Sequence, residues 1–317
     1  MRKELGTFVL LAVLCAVLAY LNPSFLAPVN LQNLARLIGI YGIFSIGLGI
    51  VIITGGIDLS VGSVFALLGV LLSIFLVQFH WPAAIAVLAV VAITTLLGAI
   101  NGFLITKIKI QPFIVTLCGL LFYRGLARFV ANDETKGFGA AEGFETLQSI
   151  ATGSVLGIPT PFVILVVVAA LMWVVLHRSV YGRYLYAVGR NETAARYSGI
   201  NSDRIIASAY VLSGFLAGIA GVLLAFYTNS ISPSSHGNFY ELYGIAAAVL
   251  GGCSLRGGEG SIIGILIGTA LLQVLQNLVN LLGIPSSLNF AVMGAVILIG
   301  VIADQLLQQR RAARLGK

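Results

Sequence analysis

Long apolar runs, separated by short polar or glycine-rich connections, make up most of this 317-residue chain. A helix needs about 20 mostly apolar residues to cross a hydrocarbon core ~30 Å thick, and most runs have about that length. The pattern predicts an all-α polytopic membrane protein with about ten transmembrane helices. The predicted spans are the N-terminal run, 38–54, 62–78, 83–105, 112–130, 160–177, 206–227, 241–252, 261–283 and 287–307.

Two of these runs are ambiguous. The first follows a basic start and ends near Val17-Leu18-Ala19, which is compatible with signal peptidase cleavage. We expect a retained first helix, with a cleaved signal peptide as the alternative. The residues after it, at about 22–37, predict an interfacial segment. The run at 241–252 is short, which predicts a span that is tilted, broken or extended by its neighbours.

Composition strengthens the membrane interpretation. Of the residues, 59% are hydrophobic and 9% are charged, and the mean hydropathy is +1.03, whereas soluble domains carry about 25% charged residues. Residues 1–317 are therefore predicted to form a single transmembrane domain. The three cysteines lie far apart within apolar runs, which indicates neither a disulfide framework nor a zinc site.

The formal net charge is +7, but the basic residues are spread over many connections, which argues against a nucleic-acid partner and favours a role in bilayer topology. With the N-terminus inside, fourteen of the eighteen Lys and Arg residues lie on the cytoplasmic side. The opposite side receives the other four, Arg36, Arg124, Arg128 and Lys136. This asymmetry predicts a multi-pass protein with both termini in the cytoplasm.

Two stretches of the chain resemble each other. "YGIFSIGLGIVIITGGIDLSVGS" from Tyr41 and "YGIAAAVLGGCSLRGGEGS" from Tyr243 both place a double glycine between apolar runs. Such repeats are typical of transporters and predict two parallel halves, roughly 31–130 and 206–307. A periplasmic loop at 131–159 and a cytoplasmic loop at 178–205 lie between them. The predicted helix breaks contain Gly55, Gly56, Gly62, Gly251 and Gly252.

The polar connection at 178–205 contains a short predicted helix. Asn191 is a favourable N-cap, Glu192 and Arg196 form an i,i+4 pair, and Gly199 can end the helix in the left-handed conformation. The helix is too short to bury a core of its own. The residues alone leave two interpretations open, a solvated loop or an element that fits a groove on another protein.

Three motifs in order, "GGIDLSVGS", "GRYLYAVGRNETAARYSGIN" and "AAVLGGCSLRGGEGSIIGILIGTALL", resemble the permease subunit of bacterial ABC importers of the ribose, xylose, arabinose and galactose type. The resemblance covers about 31–304. It implies a protein of the bacterial inner membrane that pairs with a second permease subunit, identical or different. It also implies cytoplasmic ATP-binding subunits and a soluble sugar-binding protein outside.

The same resemblance implies that the short helix couples the permease to the ATPase. Its residues match the family's pattern of Glu-Ala-Ala followed by Gly, although an extra Thr193 leaves the register open. The implied coupling residues are Asn191, Glu192, Ala194, Ala195, Arg196 and Gly199.

The sequence lacks the motifs that would indicate an enzyme. The chain contains no Gly-x-x-x-x-Gly-Lys-Ser/Thr phosphate loop. His80, His177 and His236 lie in separate connections and predict neither a metal site nor a catalytic triad. We therefore expect a transport subunit with no catalytic residues and no bound cofactor or metal. ATP and Mg²⁺ are expected on the partner ATPase.

Polar residues within the spans are candidates for a sugar pathway. Four amides, Gln273, Gln276, Asn277 and Asn280, fall on one helix face, where they either line the pathway or bond across a helix interface. Ser45 and Asn101 are weaker pathway candidates.

Arg124 and Arg128 lie an i,i+4 step apart near the outer end of the fifth predicted span. One interpretation is snorkelling of both side chains to the membrane interface. The other is docking of the binding protein, whose acidic residues they would contact.

Asp58 lies between the double glycine and the next apolar run. It can cap a helix that begins at Leu59. It can also mark a polar cavity near the inner gate, because irregular backbone at membrane depth is tolerated only inside protein or beside water. The two roles are compatible. Asp58 is the only acidic residue that the prediction places within the transmembrane region.

These features predict the permease of an ATP-driven, binding-protein-dependent importer that carries a ribose-like pentose or a related monosaccharide. Other permeases of the same superfamily carry autoinducer-2, polyols, nucleosides or amino acids, which are alternatives. An ion-coupled secondary transporter is an alternative from another class.

Overall fold

A computed structural model of the protein describes residues 2–139, 141, 143–285, 288, 291, 292, 294, 295 and 298. The predicted all-α membrane architecture is confirmed, and eight helices of this described part are long and apolar enough to cross a membrane. The helices are α1 (Arg2–Leu21), α2 (Pro28–Ile53), α3 (Val61–Ser73), α4 (Ala83–Thr106), α5 (Pro112–Ala131), α6 (Phe144–Thr152), α7 (Thr160–His177), α8 (Val180–Arg190), α9 (Glu192–Tyr197), α10 (Ser202–Thr228), α11 (Tyr240–Leu250) and α12 (Ile262–Leu281).

Short elements fill the connections. A 3₁₀ turn at Pro23–Leu26 precedes α2, and a π-helical turn at Ile74–Gln78 extends α3. The two-residue strands are β1 (Lys136–Gly137), β2 (Ser154–Val155), β3 (Ile158–Pro159) and β4 (Ser230–Ile231). β2 and β3 form a hairpin, and β1 pairs antiparallel with β4. The β1–β4 pair joins the predicted loop 131–159 to the chain that follows α10.

The predicted start of the second helix is wrong. Residues 28–37, expected in an interfacial segment, form the first turns of α2, which begins at Pro28. Proline is favourable at this position because its missing N–H has no partner in a first turn. The polar residues that suggested an interface have partners: Asn30 bonds to Asn277 in α12, and Arg36 donates to the carbonyl of Thr152 at 2.7 Å.

The predicted span at 287–307 lies outside the described residues apart from isolated positions. The count of ten spans and the two repeat halves therefore stay predictions. The connection at 178–205 is more structured than expected, because it contains α8 as well as the predicted short helix. α8 buries Gly182, Leu185 and Val188, which share one face at a spacing of three residues.

The core of the bundle is built around α2. All residues from Gly39 to Ile53 are buried, because α2 is surrounded by α7, α10, α11 and α12. α4 packs against α10 through glycines: a Cβ on Gly98 would lie 2.3 Å from the Tyr210 carbonyl oxygen, and one on Gly214 would lie 2.4 Å from that of Thr94. Small residues of this kind let two backbones approach closely in a membrane protein.

Two helix breaks interrupt the bundle, as the double glycines predicted. The first break, residues 54–60, separates α2 from α3, and the second break, residues 251–261, separates α11 from α12. Gly55 (φ +81°) and Gly252 (φ +97°) adopt left-handed backbone. Gly62, predicted as part of the first break, instead lies in the first turn of α3.

Both breaks lie at the same end of the bundle, because the Gly258 amide in the second break donates to the Ile53 carbonyl at the first, at 2.8 Å. We call this the break end. The turn between α4 and α5 also lies here and contacts the same cleft as the first break. The sequence prediction assigns this end to the cytoplasm.

The short helix α11 begins inside the bundle. The chain between α10 and α11 descends along α3, since Ile231 packs against Gly69 and Gly237 packs against Gly62. Gly62 and Gly69 are seven residues apart in α3, which corresponds to about 10 Å of helix. α11 has 11 residues, or about 16 Å, so a non-helical segment makes up the rest of this crossing.

The α4–α10 contact provides a test of the packing. We expect Gly98→Leu to lower the thermal stability of the detergent-solubilised protein, because the new side chain meets the Tyr210 backbone. Overpacking of this kind costs about 1–3 kcal/mol. Gly125→Leu in α5 is the matched control, since a Cβ there has nothing within 4 Å. Equal melting temperatures for the two variants would contradict the packing described.

Candidate functional site

The first break is held by a hydrogen-bond network that includes three neighbouring helices, α4, α5 and α10. Asp58, 3% exposed, accepts from the Ser60 amide at 3.0 Å and from the Ser60 hydroxyl at 2.6 Å through Oδ1. Its other oxygen, Oδ2, lies 3.4 Å from the Ser213 hydroxyl of α10. Tyr210, one turn earlier in α10, donates to the Ile57 carbonyl at 3.1 Å. Side chains of the protein thus bond to the Ser60 amide and the Ile57 carbonyl of the break.

The same network reaches two more helices through Ser60. The side-chain amide of Asn101 in α4 donates to the Ser60 hydroxyl at 3.3 Å, and the Tyr123 hydroxyl of α5 donates to Oδ1 of the Asn101 side chain at 3.3 Å. Asn101 precedes the end of α4 at Thr106 by five residues, which places this layer about 8 Å inside the break end. The predicted pathway residues Asp58 and Asn101 therefore belong to one buried polar cluster.

The predicted capping role of Asp58 needs correction. α3 begins at Val61 rather than Leu59, its N-cap is Ser60, and Asp58 bonds to the Ser60 amide rather than to amides of the first turn. This is an Asx turn, in which the carboxylate stabilises the backbone two residues later. In the second break Ser254 does the same, since its hydroxyl accepts from the Arg256 amide at 3.3 Å. Both breaks therefore use the same local turn.

A second buried cluster surrounds the first turn of α3. Glu241 of α11, 5% exposed, lies so close that a Cβ on Gly62 would come within 2.2 Å of its Oε2. A carboxylate at a helix N-terminus is favoured by the helix dipole. Arg124 of α5 donates to the Gly62 carbonyl at 3.2 Å and to the His236 and Pro233 carbonyls at 2.7 and 3.2 Å. The expectation that Asp58 is the only acidic residue within the transmembrane region is wrong, because Glu241 is buried there too.

The short helix α9 forms as predicted at the break end. The Asn191 side chain accepts from the Ala194 amide at 2.9 Å, and Gly199 has φ +84°. Arg196 bonds to Glu192 at 2.7 Å and also to Asp203 at the start of α10. These carboxylates raise the pKa of Arg196. The helix has six residues and ends at Tyr197, with Ser198 as its C-cap.

Asp203 joins α9 to the turn between α4 and α5. Its carboxylate accepts from Lys109 at 2.8 Å and lies 3.6 Å from Lys107, and its side chain is only 17% exposed. Beside it, a cleft of about 320 Å³ runs from α9 to the first break. The cleft is lined by Thr54, Gly55, Gly56, Ile105, Thr106, Lys109, Ile110, Gln111, Pro112, Glu192, Asp203 and Ile206.

The family model described as "Branched-chain amino acid transport system / permease component" matches residues 30–301. The chain belongs to this permease family. The resemblance drawn from the three sequence motifs is thereby confirmed.

Curated relatives match the permease over nearly its whole length. The ribose import permease protein of Bacillus subtilis (strain 168) is 42% identical over 96% of this chain and 93% of its own. That of Escherichia coli (strain K12) is 39% identical over 95% and 93%. The xylose transport system permease protein of Escherichia coli (strain K12) is 31% identical over 97% and 93%. No solved structure matches the permease.

The two arginines of α5 occupy different positions in the permease. Arg124 lies twelve residues after Pro112, the first residue of α5, which places it about 18 Å from the break end. Its guanidinium donates to three backbone carbonyls inside the bundle. This position is deeper than the outer end predicted. Arg128 is 52% exposed and bonds to Asp133 through two nitrogens, at 2.6 and 3.0 Å. Arg128 is therefore the more exposed of the two, and binding-protein docking stays a prediction.

The four amides of α12 are not equivalent. Asn277 exchanges hydrogen bonds with Asn30 of α2, at 2.7 and 3.2 Å, as the interface interpretation predicted. Gln276 is half-buried and Asn280 is exposed. Gln273 is 2% exposed, and none of the described residues donates to its Oε1. Gln273 therefore remains the amide candidate for the pathway.

Ser45 is buried within α2, but no hydrogen bond among the described residues joins it to the Asp58 cluster. Several cluster members were missed by sequence reasoning: Ser60, Tyr123, Tyr210, Ser213 and Glu241. Tyr210 and Ser213 lie three residues apart in an otherwise apolar run, and this spacing is the signal that could have identified them.

Replacement of Asp58 tests the first break. Asp58→Asn keeps an acceptor for Ser60 and presents an amide to Ser213, so we expect it to retain more uptake than Asp58→Leu, which loses both contacts. Uptake is normalised to permease abundance in the membrane. Glu145→Gln, at an exposed position of α6, is the control. An equal loss in both Asp58 variants would show that the charge, rather than the turn, is what uptake requires.

Proposed function

We propose that this permease imports a sugar, a ribose-like pentose or a related monosaccharide, across the inner membrane. The proposal is supported by the ribose import permease proteins, which match it at 38–42% identity over most of their length. The buried cluster of a carboxylate, an amide and hydroxyls at the first break offers the donors and acceptors that a sugar requires.

ATP is hydrolysed on separate subunits in this proposal. The permease pairs with a second permease subunit, two cytoplasmic ATP-binding subunits carry ATP and Mg²⁺, and a soluble binding protein delivers the sugar on the other side. Because α9 and Asp203 line the same cleft as Gly55 and Gly56, an ATPase seated on α9 acts next to the first break. This adjacency is the observation that carries the proposal of ATP-driven alternating access.

The proposal is tested by reconstituting the permease in proteoliposomes with the ATPase and binding protein encoded beside its gene. We expect ATP-dependent uptake of labelled ribose or xylose, and thermal stabilisation of the binding protein by the same sugar. Stabilisation by a polyol, a nucleoside or autoinducer-2 would change the assigned substrate but keep the proposed importer function. Stabilisation by a hydrophobic amino acid would overturn the sugar assignment.

Ion-coupled transport is the competing function. It is supported by the buried carboxylates of Asp58 and Glu241, since buried carboxylates can carry protons in transporters. Proton coupling requires uptake that continues without ATP and collapses when a protonophore removes the gradient. We expect the reverse, uptake that stops without ATP and is insensitive to a protonophore in sealed proteoliposomes supplied with ATP.

Arg128 provides a test of binding-protein docking. We expect Arg128→Glu to weaken the complex with the binding protein at low salt, with a smaller difference at high salt, because ions screen exposed charges. Surface plasmon resonance at two salt concentrations measures this. Lys136→Glu, in the neighbouring loop, is the control for a general change in charge. Unchanged affinity for Arg128→Glu at low salt would exclude a docking role.

A further inference from the structure

The C-terminal half of α8 lies directly against both helix breaks. The Tyr186 hydroxyl donates to the Gly260 carbonyl in the second break at 2.7 Å. Burial raises the pKa of Tyr186 to about 12, so the donor stays protonated at neutral pH. One turn later, a Cβ on Gly189 would lie 1.8 Å from the Ile53 carbonyl oxygen and 2.6 Å from the Gly258 nitrogen. No side chain separates α8 from the breaks at this point.

The second break is closed by its own hydrogen bonds. The Ser254 amide donates to the Glu259 carbonyl at 3.1 Å, and the Gly257 amide donates to the Ser254 carbonyl at 2.8 Å. The start of α12 packs on the end of α11, since a Cβ on Gly251 would lie 2.2 Å from the Gly264 carbonyl oxygen. The second break is therefore bonded within itself and packed on α11.

The other end of α11 lies at the start of α3. Its first turn carries Glu241, whose carboxylate lies against Gly62, and Arg124 holds the carbonyl of the same glycine. Gly62 follows the Asp58 turn by only four residues. α11 is therefore in contact with α8 through the second break at one end, and with the polar cluster of the first break at the other.

We propose that α11 transmits the displacement of the α8–α9 segment to the start of α3, through Tyr186 at the second break and Glu241 at Gly62. Both are positioning residues, since neither contacts ATP or the ATPase surface of α9 in this arrangement. The inference rests on the proposed function, because the ATPase acting on α9 supplies the displacement.

The test compares sugar transported per ATP hydrolysed in proteoliposomes that contain the whole importer. The variants are Tyr186→Phe, which removes one hydroxyl, Glu241→Gln, which keeps the shape and removes the charge, and their combination. Tyr184→Phe, at an exposed position of α8, and Glu145→Gln, at an exposed position of α6, are the matched controls. A loss of folded permease lowers uptake and ATP hydrolysis together and leaves this ratio unchanged.

We expect each single variant to lower the ratio about fivefold, the factor that corresponds to the net free energy of one hydrogen bond. The combined variant is expected to fall no further than the more affected single variant, because both residues act on one connection. The controls keep the wild-type ratio. Glu241→Asp, which retains the charge, is expected to recover part of the loss.

Two results would overturn the inference. One is a wild-type ratio in both single variants. The other is a combined loss equal to the product of the single losses, which indicates two independent effects. If the wild-type importer hydrolyses ATP but imports no sugar, the proposed function itself fails, and the inference falls with it.

Discussion

The backbone of a helix that stops inside a membrane needs hydrogen-bond partners from protein, because hydrocarbon supplies none. Here two such helix ends support each other: the last carbonyl of α2, at Ile53, accepts from Gly258 in the second break, and α8 passes close to both atoms. Much of the remaining arrangement follows from this contact. It fixes both breaks at one end of the bundle, beside α9, and it determines which residues line the adjacent cleft.

The positions of the charged residues inside the bundle follow from the same need to provide irregular backbone with hydrogen-bond partners. Asp58 stabilises the turn of the first break, Glu241 lies at the N-terminus of α3, and Arg124 satisfies carbonyls of α3 and of the segment before α11. Each charged group thus compensates for irregular backbone near it. The irregular backbone at the first break and at the start of α3 therefore depends on these few residues.

The sequence was sufficient for the features with a strong local signal. Apolar runs predicted most helices, the double glycines predicted both breaks, and Asn191 with Gly199 predicted the ends of α9. Features that depend on distant contacts were missed. The early start of α2 depends on partners for Asn30 and Arg36 that lie more than a hundred residues away. The depth of Arg124 and the burial of Glu241 depend on a segment that re-enters the bundle, which no periodicity in the sequence reveals.

The segment between α10 and α11 has a consequence for how such a permease can diversify. Since α11 covers only about half of a bilayer, the remaining half of that crossing consists of a loop held by the Arg124 guanidinium and by the β1–β4 pair. These anchors act mainly on backbone carbonyls and amides. The exposed side chains of the loop, Ser234, Ser235 and Asn238, can therefore vary without repacking a helix, whereas Ile231 is held by its contact with Gly69 of α3.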